Sequence, residues 1–442
     1  MTRPVWIAVV FGAGFLARLF FVVYAPATGG DAVEYTAIAT HLANNGTSAL
    51  VDSAPTIYRA PGYPFFMAAV YLVFGGSNLA VVIAQLVVGA AMAVLLYATL
   101  ARIVTEPVAR ITAAMAAASP ALAKLASGIY YETVLAALLV SLVYCVYRSN
   151  DADTPTRAAS YFAAAAGLAG AGACLVTPRF FAAPLIAAGA LAVGGLPHRR
   201  GAAVASCLAA SLLALTPWTV RNYRTFGVAL PSGMETPALL LWLGAHRAPS
   251  DDWRFPRLYK GDALMQRYQS ARGDHAHEPA RIRERLALER EVLRETARTI
   301  ANDPSGYVHD RAKNYPALWM DPIRYAELFR GPLAFAHRNM AIGELLRSRR
   351  YAATLVRSAA FLVFFAAPAA LILVGLIVAA PRWRRHAGAW LLTGWLAITH
   401  APVFIEHRYS LPLHPVLAIF AALALQRLLD LLQARRSLHV AE

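Results

Sequence analysis

The segment from Gly29 to Pro64 carries the side chains of this sequence best suited to chemistry. Asp31 and Glu34 lie three residues apart, so on a helix they share one face. A carboxylate that is held in place can accept a proton from a reacting hydroxyl group. The alternative role for Asp31 is a plain helix N-cap, and the two roles are compatible. We predict that Asp31 is the catalytic carboxylate and that Glu34 is the second candidate.

An arginine near the end of the same segment is suited to binding phosphate. Arg59 stands in the run Tyr58–Pro64, which reads YRAPGYP. Its guanidinium group offers a fixed fork of donors and stays charged in a poorly hydrated site. Such a fork stabilises the negative charge that develops on a phosphate when a bond to it breaks. The sequence predicts Arg59 as a phosphate ligand, and the alternative is a side chain that snorkels to the membrane surface.

The composition is that of a membrane protein. Of the 442 residues, 58% are hydrophobic, and the mean hydropathy is +0.48, whereas soluble domains are about 45–50% apolar. We therefore predict an all-α polytopic membrane protein. The net charge of +16 does not indicate a nucleic-acid partner, because basic residues flank membrane spans and also suit anionic lipids. The cysteines lie in apolar runs and are predicted to be packing residues: Cys145, Cys174 and Cys207.

Long apolar runs divide the chain into about ten predicted spans. The run from Tyr63 to Phe74 is not among them, since its helix would be only about 18 Å long, too short to cross a bilayer comfortably. We predict that it is re-entrant or interfacial. The predicted spans are 5–24, 79–101, 110–122, 130–147, 158–176, 180–195, 202–219, 355–379, 388–405 and 410–429.

With these spans, the basic residues of the short connecting segments collect on one side. That side is predicted to be cytoplasmic, with both termini, and the Gly29–Pro64 segment lies on the other side. The cytoplasmic set is Arg3, Arg102, Arg110, Arg148, Arg157, Arg199, Arg200, Arg382, Arg384, Arg385, Arg427, Arg435 and Arg436. The opposite side carries only Arg59, Lys124, Arg179 and Arg408. Snorkelling is the favoured explanation for Lys124.

A long outer loop, Thr219–Thr354, separates two membrane modules. The apolar and charged residues of Glu278–Asn302 alternate at helical spacing, which favours a solvated helix on a small extramembrane domain. Tyr307–Met320 is a second predicted helix, suited to the membrane interface. The predicted organisation is an N-terminal membrane module over 1–219 with a catalytic outer loop at 26–64, a loop domain over 220–354, and a C-terminal membrane module over 355–442.

Several short motifs occur in order along most of the chain. Taken together they resemble the GT-C superfamily of integral-membrane glycosyltransferases, and in particular bacterial glycosyltransferase family 39. That family includes protein O-mannosyltransferases and is similar to the lipid A aminoarabinose transferases. The motifs are Gly30-Asp31 with Tyr35–Ala39, Tyr58–Phe66, Ser127-Gly128 with Glu132-Thr133, Thr177-Pro178-Arg179, Pro217-Trp218 with Arg221–Tyr223, and Arg408-Tyr409 with Leu411–Leu413.

The resemblance implies a donor in which a sugar is attached to a polyprenyl phosphate. The sugar would pass, with inversion, to a glycolipid, glycan or protein on the outer side of a bacterial cytoplasmic (inner) membrane. Asp31 matches the acidic residue of the first outer loop, and Arg59 matches the residue that contacts the donor phosphate. Thr177-Pro178-Arg179 departs from the more usual Thr-Arg-Pro order, which leaves the role of Arg179 open. The predicted substrate-binding residues are Arg59, Tyr58, Tyr63, Glu132, Arg179, Arg221, Arg408 and Tyr409.

Three points stay open at this stage. Glu132 has an alternative role in hydrogen bonding between helices. An O-antigen ligase or polymerase and a lipid-linked sugar transporter or flippase are the rival functions, although only Arg18 is clearly mid-span, whereas a transporter would place charges in span centres. No metal or other cofactor is firmly implied and a divalent cation is left open; His275 and His277 lie in a polar loop and are not predicted to bind one.

Overall fold

The apolar runs fold into a helical bundle. The computed structural model describes residues 2–24, 31–50, 55–234, 237–247, 262–270, 279–320 and 362–441. Over these ranges the regular elements are helices, apart from one isolated bridge between Ala49 and Pro55. The predicted all-α class is therefore confirmed.

Within the described ranges, six helices are long and apolar enough to cross a membrane. They are Arg3–Tyr24, Asn78–Leu100, Glu132–Asn150, Thr156–Val176, Arg200–Phe226 and Arg408–Ser437. The remaining helices of the bundle are shorter: Gly62–Phe74, Glu106–Ala117, Pro120–Ala126, Ala183–Gly194, Ala367–Ala379 and Ala387–His400. The chain is a multi-pass membrane protein, as its composition predicts.

Most of the ten predicted spans coincide with helices, but several of their boundaries differ from those in the structure. The predicted span 110–122 is two helices, Glu106–Ala117 and Pro120–Ala126. The break follows from Pro120, which lacks an N–H donor and disfavours helical backbone in the residue before it.

The predicted span 202–219 belongs to a longer helix, Arg200–Phe226, which Gly227 ends with a left-handed φ of 74°. The predicted domain boundary at 219 therefore falls inside a helix. Of the predicted span 355–379, only residues from 362 onward lie within the described part of the chain.

Arg18 has a structural partner at the broken helix. Its side chain is 1% exposed, and its Nη1 donates to the carbonyl oxygens of Gly14 (2.8 Å) and Ala117 (3.0 Å). Ala117 is the last residue of its helix, where carbonyl groups lack partners within the helix. The absence of a side chain at Gly89 provides the space for the Arg18 side chain, since a Cβ on Gly89 would lie 2.3 Å from Arg18 Nε. The mid-span arginine is thus explained by helix packing.

The short helix Gly62–Phe74 does not cross the bundle. Near its start, the Tyr63 hydroxyl donates to Gln85 Oε1 at 2.6 Å, and near its end the Tyr71 hydroxyl donates to Asn78. Gln85 and Asn78 both lie in the first part of the next membrane helix, Asn78–Leu100. Both ends of Gly62–Phe74 therefore lie at the same end of the bundle, as the sequence predicts.

The loop domain packs its own small core at that end. Its helices Pro237–Ala245, Ala263–Ser270 and Pro279–Asn302 bury Trp242, Tyr268, Leu288 and Val292 together with Phe404 of the C-terminal module. The predicted helix 278–302 is confirmed, but one face of it is buried rather than solvated. The predicted helix 307–320 is wrong as one element, because the chain forms Pro304–Asn314 and Pro316–Met320.

Candidate functional site

Asp31 is shared by two arginines from distant parts of the chain. It is the first residue of the helix Asp31–Asn45, which places its carboxylate at the end of the bundle. Oδ1 accepts a hydrogen bond from Arg59 Nη2 at 2.6 Å, and Oδ2 accepts one from Arg408 Nη2 at 3.0 Å. With 26% of the side chain exposed, the carboxylate is partly open to a ligand.

The two arginines set the charge state of Asp31. Burial by itself would raise the pKa of the carboxyl group. The positive charges of Arg59 and Arg408 and their hydrogen bonds outweigh burial and hold the pKa at about 2. Asp31 is therefore ionised at neutral pH, and in this arrangement it is a weak base.

Arg59 binds both predicted acidic residues. Besides Asp31, its Nε donates to Glu34 Oε2 at 2.5 Å. Its guanidinium carbon lies 5.1 Å from the ring centroid of Tyr35 and 5.2 Å from that of Tyr58. Burial opposes its charge, but the nearby Tyr35 and carboxylates have the larger combined effect, so the pKa of Arg59 is raised. The predicted phosphate ligand is fully charged and embedded among aromatic rings.

Arg408 joins three carboxylates. In addition to its bond with Asp31, its Nε lies 2.7 Å from Glu406 Oε1 and its Nη1 lies 3.5 Å from Glu132 Oε1. The Glu132 side chain is only 2% exposed, and neither of its oxygens accepts a hydrogen bond from another described residue. We call this group the ion-pair cluster: Asp31, Glu34, Arg59, Glu132, Glu406 and Arg408.

Arg179 and Tyr409 lie against the cluster. The guanidinium carbon of Arg179 stands 3.7 Å from the ring centroid of Tyr409, the neighbour of Arg408. Its Nη1 also donates to the Tyr131 hydroxyl at 3.2 Å, and Tyr131 precedes Glu132. The reversed Thr-Pro-Arg order therefore still brings the arginine to the site, held by two tyrosines.

The structure does not bring every predicted site residue into the cluster. Arg221 Nη1 donates to the carbonyl oxygen of Thr56 at 2.9 Å, and its Nη2 lies 3.4 Å from that of Ser48. It thus braces the segment that leads to Arg59. Tyr63 is fully buried, and its ring packs edge-on against that of Tyr35, with 5.0 Å between the ring centroids. Both residues therefore contact segments that carry the cluster and are not part of the cluster itself.

Lys124 differs from its predicted role as well. Its side chain belongs to the helix Pro120–Ala126 and is 4% exposed. Snorkelling would leave the ammonium group in water. The structure instead packs Lys124 inside the protein.

Two residues of this region were missed at the level of sequence. Glu406 carried a signal, since it is an acidic residue two positions before Arg408 and just beyond a predicted span. Arg285 carried none, because it lies in a helix of alternating charges. In the structure Arg285 is buried, with its guanidinium carbon 5.2 Å from the ring centroid of Tyr58. Tyr58 is therefore flanked by Arg59 and by an arginine of the loop domain.

Within the described ranges, no group of three or more His, Cys, Asp or Glu side chains is arranged to hold a metal ion. His275 and His277 fall outside those ranges. The three cysteines are buried free thiols, as predicted.

Part of the chain matches a known protein family. Residues 58–219 match the family described as dolichyl-phosphate-mannose-protein mannosyltransferase. This stretch contains Arg59, Glu132 and Arg179 but neither Asp31 nor Arg408. No curated protein matches the chain.

Solved structures match over nearly the whole chain. The oligosaccharyltransferase AglB of Archaeoglobus fulgidus, in complex with an inhibitory peptide and a dolichol-phosphate, has a TM-score of 0.53 at 16% identity over 100% of this chain and 52% of its own. Its apo form gives a TM-score of 0.55 at 15% identity over 99% and 52%. ArnT from Cupriavidus metallidurans, bound to undecaprenyl phosphate, gives 0.43 at 15% identity over 96% and 79%.

The archaeal structures share the fold of this chain, which spans about half of their length. Together with the family match, they confirm the resemblance to the GT-C superfamily of membrane glycosyltransferases.

Proposed function

We propose that this chain is an integral-membrane glycosyltransferase that moves a sugar from a polyprenyl-phosphate-linked donor to an acceptor at the ion-pair cluster. The observation that carries the proposal is the sharing of one carboxylate, Asp31, by Arg59 and Arg408 at one end of a membrane bundle. The matched family is described by a lipid-phosphate sugar donor, and the archaeal neighbour was solved with a dolichol-phosphate.

The arginines would hold the phosphate of the donor. A carboxylate and a phosphate present similar oxygen pairs to a guanidinium fork. Arg59 and Arg408 each bind one oxygen of Asp31 through a single Nη2 and contact other carboxylates through their remaining nitrogens. A phosphate oxygen can therefore take the place of the Asp31 oxygen on either guanidinium group. The rings of Tyr35 and Tyr58 keep Arg59 in position during the exchange.

Asp31 would then accept the proton of the acceptor. The acceptor oxygen forms a bond to the anomeric carbon, the bond from that carbon to the phosphate oxygen breaks, and polyprenyl phosphate leaves with the electron pair. The proton of the acceptor hydroxyl passes to Asp31. One displacement of this kind inverts the anomeric centre.

Donor binding would also prepare the base. With both arginines bound to it, Asp31 has a pKa of about 2 and takes up a proton poorly. A phosphate that draws Arg59 or Arg408 away removes positive charge from Asp31 and raises its pKa. This supports an order in which the donor binds before the acceptor reacts.

The charge distribution supports an extracytoplasmic site. Three arginines predicted to be cytoplasmic lie at the end of the bundle opposite the cluster: Arg385 contacts the carbonyl oxygen of Arg102, and Arg102 and Arg199 both contact Asp151. The positive-inside rule then favours a cytoplasmic opposite end in the bacterial inner membrane.

Cysteine labelling tests this orientation. Asn44 is exposed near the end of Asp31–Asn45, the helix that begins at the cluster, and Gly201 is exposed at the opposite end of the bundle. An impermeant thiol reagent added to whole cells should label Asn44→Cys and leave Gly201→Cys unlabelled until the membrane is opened. The reverse pattern would refute the proposed side of the site. The native cysteines are buried and give a low background: Cys145, Cys174 and Cys207.

Transfer itself is tested with purified full-length protein in lipid vesicles. Polyprenyl phosphates that carry a radiolabelled hexose or pentose are offered with envelope glycolipids, glycans and proteins as acceptors. Covalent label on an acceptor is expected, and the Asp31→Asn protein gives the background. Arms with EDTA and with added Mg²⁺ decide the open question of a divalent cation.

The same assay can contradict the proposal. Transfer only from pyrophosphate-linked oligosaccharides would identify a ligase or polymerase. Movement of the lipid-linked sugar across the vesicle membrane without a covalent product would identify a flippase.

A further inference from the structure

The end of the bundle opposite the ion-pair cluster contains a cavity of about 480 Å³. This volume falls within the range of small-molecule binding sites, about 300–1,000 Å³. Four separate parts of the chain form its walls: the turn after Asn78–Leu100, the end of Glu132–Asn150, the end of Ala183–Gly194, and the turn at 383–386. Its polar lining consists of Arg102, Tyr147, Asn150, Asp151, Arg384 and Arg385.

Contacts between the walls fix the shape of this cavity. Arg102 forms an ion pair with Asp151, and Arg385 Nη2 lies 3.4 Å from the carbonyl oxygen of Arg102. The Tyr147 hydroxyl and His386 Nδ1 form a hydrogen bond of 2.6 Å. Helix ends that are far apart in the chain are thus joined around the cavity, which makes it a built feature of the fold.

The lining of the cavity is positively charged, and one of its residues has a hydrogen-bond acceptor that is not paired with another described residue. Asp151 neutralises Arg102, which leaves the charges of Arg384 and Arg385 without a carboxylate among the lining residues. Asn150 Oδ1 is buried and has no hydrogen-bond partner among the described residues. Buried acceptors are normally paired, so this oxygen favours a ligand that brings a donor.

We propose that this cavity binds a phosphate group with a neighbouring hydroxyl, the chemistry of a glycerophosphate. Arg384 and Arg385 would bind the phosphate oxygens, and the hydroxyl would donate to Asn150. The cavity lies at the ends of membrane helices, where lipid headgroups lie, and basic pockets between such helices bind anionic headgroups. Phosphatidylglycerol and cardiolipin carry both groups, and glycerol 3-phosphate is a soluble source of the same chemistry.

The test uses the delipidated full-length protein in detergent. Short-chain phosphatidylglycerol is titrated, and bound lipid is counted by native mass spectrometry. The double variant Arg384→Gln, Arg385→Gln should bind about tenfold or more weakly, because charge-assisted hydrogen bonds are lost. The control variant Arg382→Gln, Arg427→Gln removes the same amount of charge from two exposed arginines at the same end of the bundle that do not line the cavity. Its affinity for phosphatidylglycerol should stay within about twofold of that of the unmodified protein.

Further arms separate the sources of phosphate and guard against misfolding. Asn150→Leu should lower affinity for phosphatidylglycerol more than for phosphatidic acid, whose headgroup has no glycerol hydroxyl. The double variant Arg384→Lys, Arg385→Lys keeps the positive charge. It should bind phosphatidylglycerol more tightly than the glutamine variant does, which keeps the test valid even if the glutamine variant is unstable. Competition by glycerol 3-phosphate at equal affinity would support the phosphate site but refute a lipid source. Equal losses in the double variant and its control, or equal binding of phosphatidylcholine, would overturn the proposal.

Discussion

Arginines at the two ends of the bundle bind different partners. At the cluster, Arg59 and Arg408 bind carboxylates. At the opposite end, Arg199 is buried and donates to backbone carbonyl oxygens of Thr154, at 2.6 Å, and Asp151. The residue type is the same, but the partners differ, and Arg59 and Arg408 are half-buried whereas Arg199 is buried.

This difference separates a binding role from a structural role. A backbone carbonyl belongs to the fold, and an arginine that binds it holds two segments together. A carboxylate on a side chain can move away, and a phosphate can replace it on the same fork. Arg18 and Arg221 also donate to backbone carbonyl oxygens, although Arg221 binds Thr56, only three residues before Arg59. The comparison therefore predicts different consequences for substitutions at these arginines.

The largest expected effect is at Asp31. Asn has nearly the same size as Asp and caps helices about as well, so Asp31→Asn should fold. Removing the proton acceptor should lower the rate of transfer to a hydroxyl by about 10²–10⁴. Radiolabelled transfer, normalised to membrane yield, measures this. Glu34→Gln is the matched control and should cost less, since Glu34 binds only Arg59 in the cluster. Full transfer by Asp31→Asn would mean that another carboxylate is the base.

Arg59 should show an effect on donor binding. Arg59→Ala removes the fork and should weaken the affinity for polyprenyl phosphate by about 10- to 100-fold, because hydrogen bonds to charged groups contribute about 1.5–3 kcal/mol each. Arg59→Lys keeps the charge without the fork and should lose less. Quenching of intrinsic fluorescence by a labelled polyprenyl phosphate measures the affinity. An unchanged affinity in Arg59→Ala would remove Arg59 from the donor site.

Arg18 should change stability without changing the kinetics of the folded enzyme. Arg18→Met leaves the Ala117 carbonyl without its partner, and the expected cost is about 1–3 kcal/mol of unfolding free energy. Thermal unfolding in detergent should therefore shift to lower temperature, while KM for the donor stays constant. A raised KM at unchanged thermal stability would contradict the structural role and revive a role for Arg18 in a transport pathway.

The smallest expected effect is in the pH dependence. The pKa of Asp31 lies below its ordinary value of 3.8 in the folded protein, at about 2. Its ion pairs therefore stabilise the fold fully above the ordinary value and lose this effect as the pH falls through about 2. The profile of kcat/KM should show no loss from Asp31 between about pH 5 and pH 8.

The pH dependence of kcat reports on Asp31 in the enzyme with its donor bound. If the donor phosphate draws an arginine from Asp31, the acidic limb of kcat should lie at higher pH than that of kcat/KM. An acidic limb of kcat/KM near neutral pH that disappears in Asp31→Asn would mean that the arginines do not hold Asp31 in the unliganded enzyme.

Local pattern determined much of this protein. The apolar runs specified the membrane helices, and the three-residue spacing of Asp31 and Glu34 matched a helix, Asp31–Asn45, which is followed by Gly46 with a φ of 67°. The basic residues of the connecting segments predicted which segments lie on each side of the membrane. These features depend on residues within a few turns of one another, so periodicity and turn residues are sufficient to predict them.

The partners of Asp31 were decided only by the tertiary structure. Arg408 lies near the other end of the chain, and its bonds with Asp31, Glu132 and Glu406 exist because three helix ends meet. The same holds for Arg285, which reaches Tyr58 from the loop domain. No local pattern encodes such contacts, because they depend on how helices pack across the whole chain. The sequence showed which residues could do the chemistry, and packing determined which of them meet.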